Sequence, residues 1–125
     1  MTPEERKIRK IVKTTKENMT SIGIYLPEFD SAIKAYAEMR QQYDTLMEDF
    51  RKSGCKITEE YTNKAGFTNI RKTALYMALE TLRKDIVNHE NILGLTPAGL
   101  KKIRNPEKTK KKMSKLGKAL KEIGQ

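Results

Sequence analysis

The sequence lacks the features on which disulfide-bonded, membrane-embedded and aromatic-rich proteins depend. It has a single cysteine, Cys55, which excludes an internal disulfide, no tryptophan, and only three phenylalanines. No apolar run approaches the ~20 residues that a membrane helix needs, and the first residues do not form a signal peptide. These absences favour a soluble protein that works in a reducing cytoplasm, without contact with a membrane.

The composition favours a thin fold with much exposed surface. Apolar residues make up 37% of the 125 residues and charged residues 34%, against ~45–50% and ~25% in typical globular chains. A chain of this length can form one compact domain and a tail. We expect slender helical hairpins, or a subunit that completes its core in an oligomer.

Charge is distributed unevenly along the chain. Residues 1–20 carry six basic and three acidic groups, residues 21–99 ten and eleven, and residues 100–125 ten and two. A near-neutral body therefore lies between two basic ends, which indicates nucleic acid or another polyanion as the partner. A lysine-rich tail that only increases solubility is the simpler alternative.

The first 20 residues predict a basic amphipathic helix. Thr2 is placed as a cap, Pro3 stands in the first turn, and Glu5 follows three residues after the cap, which is the pattern of a capping box. Ile8 and Met19 mark the ends of an apolar stripe at helical spacing, and basic residues cover the other faces. These basic residues are either the solvated side of a packing helix or a DNA-binding surface.

Two longer helices are predicted to form an antiparallel hairpin. Residues 27–53 carry two adjacent apolar stripes, interrupted at Arg40, and Gly54 is placed to end the helix. Residues 73–93 carry a heptad seam that suits packing on the first helix. The seam consists of Leu75, Leu79, Leu82, Ile86, His89 and Leu93.

A short β-hairpin is predicted between these helices. Ile57, Glu59 and Tyr61 alternate with polar neighbours, residues 63–66 have turn chemistry, and residues 67–70 offer a returning strand. An isolated hairpin is marginal in water, so we expect this one to pack on something.

The chain then predicts a short helix and a basic tail. Gly94 ends the second long helix, Thr96 and Pro97 begin another helix, and Asn105 with the following proline ends it. The predicted fold is mainly α: residues 1–104 form a single helical domain, and residues 105–125 form a basic tail that becomes helical only when bound.

No set of residues indicates catalysis. His89 and Cys55 lie in different predicted elements without a third partner, and adjacent carboxylates such as Glu59 and Glu60 have no separate environments. The run from Gly94 to Lys101 lacks the glycine–lysine–hydroxyl triplet of a phosphate-binding loop. We therefore expect no enzyme activity, no cofactor and no metal, and a packed or oligomer-facing position for His89.

One stretch resembles a known family. Residues 93–103, Leu-Gly-Leu-Thr-Pro-Ala-Gly-Leu-Lys-Lys-Ile, resemble the near-terminal signature of phage terminase small subunits of the short, P-twenty-seven-like branch. The preceding segments also occur in the order typical of the family: residues 25–28, then the turn at 61–66, then the second long helix. The resemblance therefore covers about residues 22–104. The family often has a proline before the second long helix, where this chain has Arg71-Lys72-Thr73, which leaves the start of that helix open.

The resemblance implies a DNA-binding packaging adaptor in the cytoplasm of the bacterial host. Small terminase subunits recognise viral double-stranded DNA, assemble into homo-oligomeric rings, and present the DNA to the large terminase subunit, which has the ATPase and nuclease activities. The resemblance and the basic ends together predict a set of DNA-binding residues. They are Lys10, Lys13, Lys16, Lys101, Lys102, Arg104, Lys108, Lys110, Lys111 and Lys112. The apolar stripes nominate as oligomer-interface residues Ile33, Tyr36, Tyr43, Leu75, Leu79, Leu82 and Ile86.

Two other functions remain open at this point. Residues 73–104 permit a helix-turn-helix, which would make the protein a small helical transcription regulator, although the last helix is short for a recognition helix. A structural adaptor whose basic tail binds an acidic protein is the third hypothesis.

Overall fold

A computed structural model describes residues 1–105, and the prediction for the tail lies outside these residues except for Asn105. Helix α1 spans Pro3–Ser21, and α2 spans Asp30–Lys52 after a single 3-10 turn at Pro27–Phe29. Strands β1 (Thr58–Thr62) and β2 (Thr68–Lys72) follow, and then helices α3 (Ala74–Ile92) and α4 (Pro97–Arg104). The mainly helical fold with a small β-hairpin between the long helices is confirmed.

Helices α1, α3 and α4 each begin at a threonine cap. The Thr2 hydroxyl accepts a hydrogen bond from the Glu5 amide, and the Glu5 carboxylate accepts one from the Thr2 amide, each at 3.2 Å, so the predicted capping box is present. Thr73 caps α3 by accepting from the Tyr76 amide at 3.2 Å. This contact places the start of α3 at Ala74, the point that the resemblance to the family left open.

Helices α1, α2 and α3 end in the same hydrogen-bonded motif. A glycine with positive φ follows each cap, and the next amide bonds back to a carbonyl five residues earlier, as in a Schellman motif. The glycines are Gly23, Gly54 and Gly94, with φ of +77°, +84° and +71°. The returning bonds join Ile24 to Met19, Cys55 to Phe50, and Leu95 to Glu90, at 2.8–3.0 Å.

The core lies along α2, which packs against α1 and α3. Met19 of α1, Ile33 of α2, and Leu79 and Leu93 of the α3 region are completely buried. The heptad seam predicted for α3 is confirmed, because Leu79, Ile86 and Leu93 are buried and the other three members are half-buried.

Polar contacts join α2 and α3 where the apolar stripe is interrupted. Arg40 lies 4.0 Å from the Glu90 carboxylate, and the buried Tyr36 lies beside both groups. Burial, followed by the nearby Glu90 charge, raises the pKa of Tyr36. Further along the pair, Arg83 donates a hydrogen bond of 3.0 Å to the Tyr43 hydroxyl. These contacts explain why Arg40 interrupts the stripe without disrupting the hairpin.

The β-hairpin is exposed on both faces. Every residue of β1 and β2 is exposed, and Phe67 and Ile70 retain 69% and 74% of their accessible surface. A Glu59–Arg71 ion pair of 2.9 Å joins the strands, and a Lys72–Glu80 pair of 3.1 Å joins β2 to α3. The expected packing of the hairpin on another element is therefore not met within residues 1–105.

Candidate nucleic-acid interface

The first basic surface is the outer side of α1. Lys10 and Lys13 are exposed and lie roughly opposite the buried Thr15 and Met19, as a period of ~3.6 residues requires. Within residues 1–105 neither lysine forms an ion pair. As far as residues 1–105 are concerned, both ammonium groups are therefore available to a binding partner.

Lys16 belongs to a contact that joins α1 to the start of α2. Its Nζ atom lies 3.6 Å from Oδ1 of Asp30, and the Tyr25 hydroxyl donates a hydrogen bond of 2.6 Å to the same oxygen. The bond to Asp30 raises the pKa of Tyr25. Because Asp30 already neutralises part of its charge, Lys16 is a weaker candidate for a phosphate contact than Lys10 or Lys13.

The second basic surface is α4. Its position is explained by residues 93–103, the family-like stretch that resembles phage terminase small subunits. Thr96 caps the helix by accepting from the Gly99 amide at 3.0 Å, and its hydroxyl also donates to the Asn91 side chain. The buried Gly99 lies so close to α3 that a side chain there would collide with the Asn91 carbonyl. Leu100 and Ile103 pack against the core. One face of α4 is thus held against the body of the protein.

The opposite face of α4 is basic and exposed. Lys101 and Lys102 are exposed, and so is Arg104, whose Nη2 atom donates a hydrogen bond of 3.0 Å to the Ile22 carbonyl. Ile22 is the cap residue at the end of α1. A contact between residues 82 positions apart therefore brings the end of α4 beside the end of α1.

The ends of the two helices that carry the basic surfaces consequently adjoin at one end of the molecule. Along α1, Lys16 lies ~9 Å and Lys10 ~18 Å from Ile22, at ~1.5 Å per residue. The chain leaves α4 at Asn105, next to this end. Lys108, Lys110, Lys111 and Lys112 lie outside the described residues.

The residues nominated for an oligomer interface mostly face the protein's own core. Ile33 and Leu79 are completely buried, and Tyr36 and Ile86 are nearly so. Tyr43, Leu75 and Leu82 are half-buried. In this conformation the four buried side chains have little surface left for a second copy, whereas the three half-buried ones retain some.

Other apolar side chains are exposed and were not singled out in the sequence. Met77, Val87 and Ile92 of α3 keep more than half of their accessible surface. They lie off the heptad seam, so their spacing alone gave no reason to separate them from ordinary surface residues. Met77 lies on the side of α3 opposite the buried seam, and Val87 and Ile92 lie on its two flanks, so each is available to a partner.

Within residues 1–105, no group of histidine, cysteine, aspartate and glutamate side chains is placed to hold a metal ion. The His89 ring contacts the Asp85 carbonyl in the preceding turn, with Nδ1 3.1 Å from the oxygen. Cys55 is exposed at the end of α2. No helix among the described residues is long and apolar enough to cross a membrane.

Comparison with known proteins identifies the family. A family model described as phage terminase, small subunit, matches residues 9–110, which is most of the chain and includes α1 from Arg9 onward, the helical hairpin and α4. Comparisons with curated proteins and with solved structures give no match. The family match agrees with the resemblance of residues 93–103, and the chain belongs to the phage terminase small subunit family.

Proposed function

We propose that this protein is the DNA-binding subunit of a packaging terminase. In this role it assembles with copies of itself, binds viral double-stranded DNA, and presents it to the large terminase subunit in the cytoplasm of the bacterial host. The protein itself performs no chemistry, and ATP hydrolysis and DNA cleavage belong to the large subunit. Membership of the family supports the general role.

The observation that carries DNA binding is the meeting of two basic segments at one end of the molecule. Arg104 joins α4 to the end of α1, and residues 100–125, which include this contact, contribute ten basic against two acidic groups. Phosphate contacts of this kind supply most of the sequence-independent affinity for DNA. Lys10, Lys13, Lys101 and Lys102 are the best candidates among the described residues, because their ammonium groups are exposed.

Self-assembly is supported by apolar side chains that residues 1–105 leave uncovered. Met77, Val87 and Ile92 are each exposed on α3, so they are available to a neighbouring copy. Among the helices, we assign the subunit contacts to these residues together with the half-buried Tyr43 and Leu82. Ile33 and Leu79 then act by holding α2 and α3 together.

The packing of α4 disfavours a helix-turn-helix regulator. The helix has eight residues, and its Gly99 side lies against the α3 backbone while Leu100 and Ile103 contact the core. A recognition helix needs one long exposed face to enter the major groove. In α4 that face offers only about two turns.

The DNA-binding proposal is tested by neutralising α1. Lys10→Gln with Lys13→Gln should weaken binding to double-stranded DNA and reduce the dependence of affinity on salt by about one unit of slope for each phosphate that is no longer bound. The matched control is Lys34→Gln with Lys84→Gln, which removes the same charge from exposed helical positions. Fluorescence anisotropy across a salt series measures both. Equal effects of the two pairs would exclude α1 as a specific contact surface.

Self-assembly is tested separately by light scattering of the full chain at tens of micromolar. A mass several times 14.4 kDa is expected. A strict monomer in the presence and absence of DNA would contradict the assembly part of the proposal and leave DNA binding to be judged by the anisotropy experiment.

A further inference from the structure

The exposed β-hairpin is the element that the subunit alone explains least well. Two strands without a covering layer are marginally stable in water, and three or more strands are normally needed. Phe67 and Ile70 are the most exposed large apolar residues of the described chain. An element of this kind is expected to gain a partner, and its own backbone and charges indicate which one.

Within residues 1–105, no strand pairs with either outer edge of the hairpin, so both edges present free backbone groups. Asn63 donates to the Phe67 carbonyl and Thr73 donates to the Ile57 carbonyl, so these pairs are hydrogen-bonded across the hairpin. Hydrogen-bonded and non-hydrogen-bonded pairs alternate along an antiparallel ladder. The amides and carbonyls of Glu60 in β1 and Ile70 in β2, which face each other in the register, therefore point outward. Neither strand contains proline, so each edge can accept another strand.

The two edges carry opposite charges. Strand β1, Thr-Glu-Glu-Tyr-Thr, contains two acidic residues and no basic one, whereas β2, Thr-Asn-Ile-Arg-Lys, contains two basic residues and no acidic one. Like charges directly across a strand pair are destabilising and opposite charges are favourable. Pairing of β1 with β1, or of β2 with β2, is therefore disfavoured, and pairing of β1 with β2 of another copy is favoured.

We propose that the hairpins of neighbouring copies pair edge to edge, with β1 of one copy beside β2 of the next. This inference rests on the self-assembly proposed above and gives that assembly a direction. Contact between two different surfaces is head-to-tail, and head-to-tail contacts form rings when the rotation closes. Each hairpin then lies within a sheet of four or more strands, which removes its marginal character.

Charge exchange between the strands tests the pairing. Glu59→Lys with Glu60→Lys makes both strands basic, and Arg71→Glu with Lys72→Glu makes both acidic. Each variant alone should lose the assembled species seen by light scattering for the wild type, because β1 then meets a β2 of its own sign. An equimolar mixture should recover it, since every β1–β2 contact between copies in an alternating assembly is again of opposite sign, while the β1–β2 contacts within each hairpin are the same in the single variants and in the mixture. Circular dichroism checks that the helices remain folded.

Hydrogen exchange of the unmodified protein provides a second measurement, which does not depend on substitutions in the hairpin. The outward amides of Glu60 and Ile70 should exchange at least tenfold more slowly in the assembled protein than in dilute protein. Assembly without slower exchange at these amides, or variants that assemble as well alone as mixed, would overturn the pairing while leaving self-assembly intact. Slower exchange that requires DNA would also overturn it, because the hairpin would then be a nucleic-acid contact. A monomeric wild type would instead refute the proposed self-assembly itself.

Discussion

At the residue scale, the family-like stretch is explained by close packing at the junction of three helices. Gly94 has a φ of +71°, and a side chain there would come within 2.6 Å of the Ile24 side chain and 2.8 Å of the Ile103 side chain. Gly99 leaves room for the α3 backbone, and Thr96 caps α4. The sequence predicted Gly94 and Thr96 as helix boundaries, but it held no sign of the role of Gly99, because a close approach of two backbones leaves no periodic pattern.

Substitution of Gly94 should separate backbone strain from collision. Gly23 occupies the same position after α1, with a φ of +77°, and no atom lies within 4 Å of the place where a side chain would begin. Gly23→Ala should cost about 1 kcal/mol, the usual penalty for a left-handed non-glycine residue. Gly94→Ala should cost a further ~1–3 kcal/mol because it also overpacks the core. Urea unfolding followed by circular dichroism measures both.

Equal destabilisation by the two variants would mean that Ile24 and Ile103 rotate away without cost, so the collision would contribute nothing. The two variants can be compared directly because Gly23 and Gly94 end their helices in the same motif, have similar φ values and receive the same substitution. Only the neighbouring side chains differ.

At the scale of elements, local signals predicted the helices and the hairpin well. Threonine caps, prolines in the first turn and glycines after the last turn act within a few residues, so the bounds of α1, α3 and α4 agree with the prediction to within one or two residues. The hairpin followed from its alternation and from the Asn63–Gly66 turn, where Gly66 has a φ of +85°.

Contacts between distant residues were not predictable in the same way. Arg40 was only an interruption in a stripe until Glu90 was found 4.0 Å away, and nothing near Arg104 in the sequence points to the Ile22 carbonyl. Each of these partners is set by how helices cross, which depends on the whole core. The lysines of the candidate DNA-binding site could therefore mostly be predicted from the sequence, whereas the position of the site could be seen only in the structure.

The Arg104 hydrogen bond should control the mobility of α4. Arg104→Met keeps much of the side-chain length but removes the bond to Ile22, which is worth about 1 kcal/mol. The amides of the last turn of α4 should then exchange about fivefold faster. Lys102→Met is the control, because it removes the same charge from an exposed position of the same helix. Similar exchange in both variants would show that charge, and not the bond to Ile22, governs the stability of this turn.

At the scale of the whole molecule, the distribution of charge is the property that the sequence shows most directly. The positions of the charged groups in space depend on the fold. The sequence places the basic groups at opposite ends of the chain, and the fold brings the start of the second group beside the end of the first. A single DNA duplex could thus contact both without bridging the length of the subunit. The near-neutral α2–α3 hairpin extends away from this end and carries the β-hairpin at its far end.

The basic segment after Asn105 provides the test of this arrangement at the level of the whole chain. Lys110→Gln, Lys111→Gln and Lys112→Gln together should weaken DNA binding and flatten the plot of log affinity against log salt by ~0.9 for each phosphate that is no longer bound. The control removes three exposed helical lysines of the body, Lys34, Lys52 and Lys84, and should change the slope much less. If the slope is the same for the tail variant and the wild type, the tail lies outside the DNA interface. Its seven basic groups against two acidic ones would then be available to the large subunit, and failure of the same variant to bind the large subunit would establish that second role.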